Sequence, residues 1–270
     1  MTDQSAILSV ENVTVDFSLG RGRTLRAVDE VSFTLRPGEV LGVVGESGSG
    51  KSTLGRVVAG FQRPTQGHVR YPTPSGDLAP RITGRPRGHR DVQMIFQESA
   101  MALSPRLPVW RLVGEAIEPN LTTWPAGRRS QVTELKDRVA PQLERAGLAA
   151  ASFLDKRPAE LSGGEKQRVA IARALATSPV AMVCDESVSA LDVSVRAIVL
   201  NLFRRLSHEE GIALLFITHD ISVVTHLADR AAVMYHGRVV ESGTPREIVD
   251  HPGDDYTRKL IDAVPSLEQP

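Results

Sequence analysis

One stretch of this sequence combines the residue types that bind phosphate. Residues 45–52 read Gly-Glu-Ser-Gly-Ser-Gly-Lys-Ser and fit the pattern G-x-x-x-x-G-K-[ST]. The glycines allow a tight turn whose N–H groups point at an anion, and the N-terminus of a following helix adds partial positive charge. In such a loop Lys51 reaches the β- and γ-phosphates, and the Ser52 hydroxyl binds Mg²⁺. The stretch therefore predicts a site for a nucleoside triphosphate with Mg²⁺.

The neighbouring residues supply the context that this loop requires. The short apolar run 40–44 predicts a buried strand, and residues 53–59 predict a helix. A plain Gly/Ser turn is the simpler interpretation, and the strand and helix on either side argue against it. A dinucleotide fingerprint is also disfavoured, because Gly48-x-Gly50 is followed by Lys51 and no third glycine stands in place.

Two acidic residues follow a second apolar run. Residues 180–184 predict a buried strand, and Asp185 and Glu186 come directly after it. Because adjacent residues leaving a strand point in different directions, Asp185 can face a metal ion while Glu186 faces an attacking water. Adjacent acids are common on surface turns, so this pair alone is a weak signal.

A second helix start with glycines lies at residues 161–165, which read Leu-Ser-Gly-Gly-Glu. Ser162 suits a helix N-cap, and Gly163 and Gly164 allow close approach of the backbone to a phosphate. The segment predicts a second anion-binding helix N-terminus, at the start of a helix over 163–176.

The composition excludes several classes of protein. The 270 residues include 32 basic and 32 acidic ones, so the net charge is zero and bulk charge predicts no nucleic-acid partner. Cys184 is the single cysteine, which excludes an intramolecular disulfide and suits a reducing cytosol. No apolar run is long enough to span a bilayer, and we expect no signal peptide. A role at a membrane would need another chain to bring this one there.

The first part of the chain predicts strands and a long loop. Residues 7–17 and 24–36 are rich in β-forming residues, with a turn between them. Residues 63–90 are rich in Pro, Gly and Arg and predict an irregular loop. A nucleic-acid site is disfavoured there, since no aromatic residue is interleaved among Arg81, Arg85, Arg87 and Arg90.

The second part predicts a helical block and then α/β alternation. Residues 108–176 look helical throughout, and Pro141 is expected to kink or split one helix. That helix carries an amphipathic stripe of Val132, Leu135, Val139, Leu143 and Ala146. Later helices are predicted at 193–208, 245–250 and 254–262, and later strands at 212–217, 230–235 and 238–242.

Taken in order, these motifs resemble the ATPase subunit of ATP-binding-cassette (ABC) transporters over nearly the whole chain. The resemblance implies a single ABC ATPase domain over residues 1–270. Its class would be α/β: a P-loop NTPase core, an N-terminal antiparallel β subdomain and an α-helical subdomain inserted at about 98–176. ATP and Mg²⁺ would be the cofactors, and ATP hydrolysis the reaction.

The resemblance also implies which residues bind the nucleotide. Phe17 looks like the aromatic that stacks on adenine, with an ordinary strand-end aromatic as the alternative. Residues 45–53 resemble the Walker A loop, residues 161–165 the family signature, and residues 189–192 (Ser-Ala-Leu-Asp) the D-loop. The implied nucleotide contacts are Phe17, Gly45, Ser47, Gly48, Ser49, Gly50, Lys51, Ser52, Thr53, Ser162, Gly163, Gly164 and Asp192.

Three residues take catalytic roles by the same resemblance. Glu186 resembles the catalytic glutamate, and His219 resembles the switch histidine that contacts the γ-phosphate. Gln97 looks like the Q-loop glutamine that senses Mg²⁺ and the attacking water. The implied metal ligands are Ser52, Gln97 and Asp185. One departure is Ser187, which stands where the family usually has proline and bears on the rigidity of that loop.

Partners and location follow from the resemblance as well. It implies a head-to-tail dimer in which residues 45–52 of one chain and residues 162–164 of another enclose each ATP. The second ABC ATPase would be identical or homologous. Integral membrane permease subunits, met by residues 97–107, would hold the pair at the cytoplasmic face of the cell membrane. An extracytoplasmic solute-binding protein would take part indirectly.

Finer motifs resemble the dipeptide, oligopeptide and nickel importer group. They are residues 93–97 with 103–106, residues 189–196 and residues 256–265. Since no cysteine follows Cys184, the chain resembles members without an iron–sulfur cluster. Peptide import is favoured; import of nickel or another small solute, and a non-transport ABC ATPase of a soluble complex, stay open. A P-loop kinase and a scaffold without turnover are disfavoured.

Overall fold

The computed structural model describes residues 6–20, 22–72, 77–80, 91–97, 103–119 and 129–263. The chain divides into two compact units. The sheet unit comprises Met1–Met94, Val180–Glu186 and Leu206–Pro270, and the helical unit comprises Ile95–Pro179 and Ser187–Arg205, each with the gaps just given. Residues 81–90 with their four arginines, residues 98–102 and the tail from 264 onwards lie outside the described residues.

The N-terminal strands form an antiparallel sheet in the order β2-β1-β4-β5. Its members are β1 (Leu8–Ser18), β2 (Thr24–Leu35), β4 (Gln66–Pro72) and β5 (Leu78–Pro80). The inward face is aliphatic and the outward face is polar, as expected of a sheet with one solvated side. This confirms the predicted antiparallel β subdomain.

A second sheet has the strand order β10-β9-β3-β8-β7-β6 within the described residues. Its members are β3 (Val40–Val44), β6 (Val92–Ile95), β7 (Ala181–Asp185), β8 (Ala213–Thr218), β9 (Arg230–Tyr235) and β10 (Arg238–Gly243). β3, β7, β8 and β9 pair in parallel, and β10 runs antiparallel to β9. β3, β7 and β8 are buried along their whole length, which explains their uninterrupted apolar sequences.

The two sheets and the first helix share one hydrophobic core. Helix α1 (Lys51–Val58) follows the glycine-containing loop and buries Leu54 and Val57 in a cluster with residues of both sheets. α7 (Ile221–Leu227), α8 (Pro245–Asp250) and α9 (Asp255–Asp262) belong to the sheet unit too, and residues of all three join a smaller cluster that includes Val44 of β3. The loop after β3 therefore lies on a well-packed base.

The helical unit contains the inserted helices. They are α2 (Val109–Ile117), α3 (Arg129–Arg145), α4 (Ala150–Phe153), a 3₁₀ turn (Pro158–Glu160) and α5 (Gly163–Leu175). The expectation of helix throughout 108–176 was too broad, because irregular residues separate α3 from α4 and α4 from α5. After α5, helix α6 (Val193–His208) has the bounds that the sequence predicts.

Pro141 does not split its helix. α3 continues on both sides of it from Arg129 to Arg145. Pro141 is exposed, so water can satisfy the carbonyl that lacks an intrahelical partner, while Leu135, Val139 and Leu143 on the opposite face are fully buried. Packing of the apolar stripe outweighs the cost of the proline, and the helix ends near Gly147, which has a φ of 73°.

Candidate nucleotide-binding site

The order of the parallel strands brings three predicted segments to one edge of the sheet. β8 lies between β3 and β7, with Val44 opposite Thr218 and Asp185 opposite Ile217. The loop after β3, His219 after β8 and the acids at the end of β7 therefore all leave the sheet at its carboxyl edge. This is where ligands bind in open α/β sheets.

The loop requires glycines because of their backbone angles and because neighbouring backbone atoms leave no room for a side chain at Gly45 and Gly50. Gly45, Gly48 and Gly50 have φ values of 157°, 84° and 101°. A Cβ atom on Gly45 would lie 2.2 Å from the carbonyl oxygen of Met234, and one on Gly50 would lie 2.1 Å from that of Ala27. The loop is thus pressed against β2 and the end of β9, which fixes its N–H groups in place.

These contacts make Gly50→Ala and Gly48→Ala a matched pair. Both residues have positive φ, but a Cβ on Gly48 would meet nothing within 4 Å. We expect Gly50→Ala to lower the free energy of unfolding by roughly 3 kcal/mol and to weaken ADP binding, because backbone atoms cannot move aside. Gly48→Ala should cost about 1 kcal/mol, the strain of the left-handed backbone alone. Urea unfolding and ADP titration measure both effects, and equal losses in the two variants would refute the packing explanation.

Lys51 is buried with its ammonium group held by the loop itself. Nζ donates to the carbonyl oxygens of Gly45 at 2.6 Å and Glu46 at 2.8 Å, and lies 3.3 Å from Oγ of Ser49. Burial lowers the pKa of Lys51, and the carboxylates of Glu186, Asp185 and Glu46 partly oppose that shift. A buried ammonium group gains from an added anion, so the site favours a phosphate beside Lys51.

Ser52 and Asp185 form a pair of oxygen donors suited to Mg²⁺. The Ser52 hydroxyl donates to Oδ1 of Asp185 at 2.8 Å. Burial raises the pKa of Asp185, and the hydrogen bond from Ser52 opposes it, so a nearby cation would stabilise the charged carboxylate. Within the described ranges, no group of three or more His, Cys, Asp or Glu side chains is placed so that it could hold a metal ion.

Glu186 and His219 form a close pair. Nδ1 of His219 lies 2.8 Å from both carboxylate oxygens of Glu186. The Glu186 N–H donates to the Ile217 carbonyl at 2.9 Å, and its φ is 50°, an unusual value for a residue other than glycine. The turn directs the Glu186 carboxylate toward β8, the neighbouring strand, and His219 directly follows that strand. The Glu186 side chain is 14% exposed and that of His219 is 57% exposed, so the pair lies at the mouth of the site.

The signature residues belong to the helical unit, where they start α5. The Ser162 hydroxyl accepts from the Glu165 N–H at 3.3 Å, and the Glu165 carboxylate accepts from the Ser162 N–H at 2.7 Å. These reciprocal bonds hold the pKa of Glu165 below its usual value. Gly164 packs against Val195, where a Cβ atom would come within 2.2 Å of a valine methyl, whereas Gly163 faces open space. A glycine is thus needed at 164 for packing within this unit.

The other predicted residues take the following places. Asp192 caps α6 by accepting from the Ser194 hydroxyl at 2.7 Å and the Val195 N–H at 2.9 Å, which lowers its pKa. Gln97 is exposed two residues after β6 and belongs to the helical unit. Phe17, near the end of β1, is 37% exposed and pairs with Leu25 of β2. Ser187 is buried, and its hydroxyl has no hydrogen-bond partner among the described residues.

Sequence reasoning missed the supports of the loop. The Gly237 N–H in the β9–β10 turn donates to the Ser49 carbonyl at 3.0 Å. The Tyr256 hydroxyl accepts from the Glu46 N–H at 2.8 Å. Gly237 lies between the predicted strands at 230–235 and 238–242, and Tyr256 begins the tail motif at 256–265, but neither was predicted to contact the loop. Since these contacts join residues far apart in the chain, no local pattern marks them.

The fold and these contacts define a P-loop nucleoside triphosphatase. A glycine loop between β3 and α1, a serine–aspartate pair and a glutamate–histidine pair meet at the carboxyl edge of one sheet. The profile of the ABC transporter family matches residues 28–189. The chain belongs to this family.

Similar sequences and a similar solved structure support the assignment to the ABC transporter family. The chain is 38% identical over 266 residues to oligopeptide transport ATP-binding protein OppF of Streptococcus mutans, covering 97% of this chain and 83% of the relative. It is 41% identical over 275 residues to OppF of Escherichia coli, covering 97% and 78%. Among solved structures it is similar to a dimeric ATP-binding cassette in a post-hydrolysis state with ADP and Pi. That match has a TM-score of 0.70 and 28% identity and covers 88% of this chain and 99% of the other.

The family assignment confirms the predicted fold class and the predicted reaction. The chain is an ABC ATPase, which binds and hydrolyses ATP in the service of transport. No helix in the described part of the chain is long and apolar enough to cross a membrane. The role of each site residue stays a prediction.

Proposed function

We propose that this chain is the ATP-hydrolysing subunit of an oligopeptide importer. The observation that carries the proposal is the double pairing at the sheet edge, Ser52 with Asp185 and His219 with Glu186, each at 2.8 Å. The relatives named as oligopeptide transport ATP-binding proteins support the choice of transported solute. ATP hydrolysis is thereby assigned to import of short peptides.

The nucleotide is bound mainly through its phosphates. Lys51 and the N–H groups of the glycine loop neutralise the β- and γ-phosphates, and the N-terminus of α1 adds its partial charge. Ser52 and Asp185 would hold Mg²⁺, with Gln97 as a further ligand, and the ion would neutralise negative charge on the phosphates. Phe17 stacks on adenine, which its partial exposure at the end of β1 permits. The other loop residues, Ser47, Ser49 and Thr53, contribute polar contacts.

Hydrolysis then depends on the pair at the mouth of the site. The Glu186 carboxylate orients a water molecule and takes its proton as the water oxygen attacks the γ-phosphorus and the bond to the β,γ-bridging oxygen breaks. His219 holds the Glu186 carboxylate in place and contacts the γ-phosphate. The rate depends largely on stabilising negative charge on the transferred group, which is the role of Lys51 and the loop.

A second chain completes the site in this proposal. Ser162, Gly163 and Gly164 of a partner ATPase bind the γ-phosphate at the start of its α5, and Asp192 of the partner contacts the nucleotide or its water. The dimeric state of the similar cassette with ADP and Pi supports this arrangement. The partner is a second copy of this chain or a homologous ATPase.

Integral membrane permease subunits place the dimer at the cytoplasmic face of the cell membrane. Residues 97–107 form the contact with them, and of these residues 98–102 lie outside the described ranges. ATP-driven closure of the two ATPases opens the permease to peptide that an extracytoplasmic binding protein delivers, and hydrolysis resets it.

Co-purification followed by reconstitution tests the proposal. The tagged chain is isolated with the membrane subunits that accompany it, and the complex is placed in vesicles together with the solute-binding protein. We expect ATP-dependent uptake of a labelled oligopeptide and none of Ni²⁺. Uptake of nickel alone would contradict the solute, and isolation with a soluble assembly and no membrane subunit would contradict transport itself.

A further inference from the structure

The C-terminal helix α9 is fastened to the sheet unit at its start. The Glu241 carboxylate, on β10, accepts from the Gly253 N–H at 2.8 Å and the Asp254 N–H at 3.1 Å. Asp254 in turn caps α9 by accepting from the Tyr256 N–H at 2.8 Å. The position of Tyr256 is therefore tied to β10.

Tyr256 reaches the nucleotide loop with its hydroxyl group. Its ring stacks on Tyr235 with 4.1 Å between centroids and 23° between planes, and the residue is only 8% exposed. Its hydroxyl oxygen accepts from the Glu46 N–H at 2.8 Å. Burial raises the pKa of Tyr256, so the phenol stays neutral throughout the physiological range.

The peptide unit between Gly45 and Glu46 is engaged at both ends. Its N–H donates to Tyr256, and its carbonyl, that of Gly45, accepts from Nζ of Lys51 at 2.6 Å. Because a peptide unit is planar, its N–H and C=O directions are linked, and turning one away from its partner turns the other as well.

From this geometry we infer that Tyr256 is a positioning residue for nucleotide binding. It orients the Gly45–Glu46 peptide, and that peptide orients the ammonium group of Lys51. The inference rests on the proposed role of Lys51 as the phosphate-binding lysine. It adds the C-terminal helix to the nucleotide site, so that displacement of α9 by any partner would lower ATP affinity.

The test compares Tyr256→Phe with Tyr235→Phe in the full chain. Both variants remove one hydroxyl group from the same ring stack, and the Tyr235 hydroxyl makes no hydrogen bond to the part of the chain that the structure describes. Calorimetric titration with ADP and Mg²⁺ gives the affinity, and steady-state ATP hydrolysis by the assembled transporter gives KM and kcat. Tyr256→Phe should raise the Kd and the KM about fivefold, as expected for one lost hydrogen bond. Tyr235→Phe should leave both unchanged.

Separate measurement of KM and kcat distinguishes a positioning role of Tyr256 from a role in folding alone. A purely structural role for Tyr256 would reduce the amount of folded protein, and with it kcat, while folded molecules kept their affinity. An unchanged Kd in Tyr256→Phe, or an equal rise in both variants, would overturn the inference. If the unaltered chain failed to bind ADP, the proposed function would fall instead, so the two failures are distinguishable.

Discussion

Glu186→Gln is expected to stop ATP turnover while leaving nucleotide binding intact. The substitution keeps the shape of the side chain and removes the carboxylate that takes the proton from water. General-base catalysis contributes about 10²- to 10⁴-fold, so kcat should fall by at least about 100-fold. The amide can still contact Nδ1 of His219, which lies 2.8 Å from the present carboxylate. ATP affinity should therefore stay within about twofold of the original.

Hydrolysis by the assembled transporter measures kcat, and ATP titration of the isolated chain measures the affinity. Glu209→Gln is the matched control, since Glu209 is exposed in the turn after α6 and precedes β8, whereas His219 follows that strand. It should leave both kcat and affinity unchanged. Retention of normal hydrolysis in Glu186→Gln would show that another group is the base.

Lys51→Ala should abolish tight nucleotide binding without unfolding the protein. A charge-assisted contact to phosphate contributes about 3 kcal/mol, so the Kd for ATP should rise by roughly 100-fold. The lysine is buried, and burial lowers its pKa. The charged ammonium group therefore lowers the stability of the nucleotide-free chain. Removal of the ammonium group relieves that cost and offsets the lost bonds to the Gly45 and Glu46 carbonyls.

Thermal unfolding with and without ATP and Mg²⁺ measures both consequences. The Tm of the nucleotide-free variant should stay close to that of the original chain, and the rise in Tm caused by ATP should disappear. Lys136→Ala is the control, because Lys136 pairs with Asp155 in the helical unit and should not alter the nucleotide effect. An unchanged ATP-induced shift in Lys51→Ala would mean that the loop does not bind phosphate.

The chemistry of the site could be predicted from the sequence because it resides in short local patterns. The glycine loop, the acids after 180–184 and the histidine after 212–217 each follow a buried strand, and parallel strands end at one edge. That these segments form one site was implied only by the family resemblance, since their proximity depends on β8 pairing between β3 and β7. Residue spacing along a chain carries no information about strand order.

Other features escaped prediction because the deciding contacts are distant in sequence. Gly50 must be glycine because of its backbone angle and also because a side chain there would collide with the Ala27 carbonyl oxygen. The Tyr256 hydroxyl contacts the Glu46 N–H, although the two residues are 210 positions apart. Pro141 was expected to kink or split its helix because local propensity disfavours proline there, but α3 is continuous because the opposite face is buried. In each case tertiary packing decided the outcome.

The requirement for two chains at each ATP is the claim on which the proposed mechanism depends. The most direct test is the ATP hydrolysis rate per chain, measured first on a dilute preparation that sedimentation shows to be monomeric and then on the same chain in the assembled transporter. We expect the monomer to hydrolyse ATP no faster than Glu186→Gln does and the assembled chain to be fully active. A monomer that hydrolyses ATP at the rate of the assembled transporter would contradict a site shared between two ATPases.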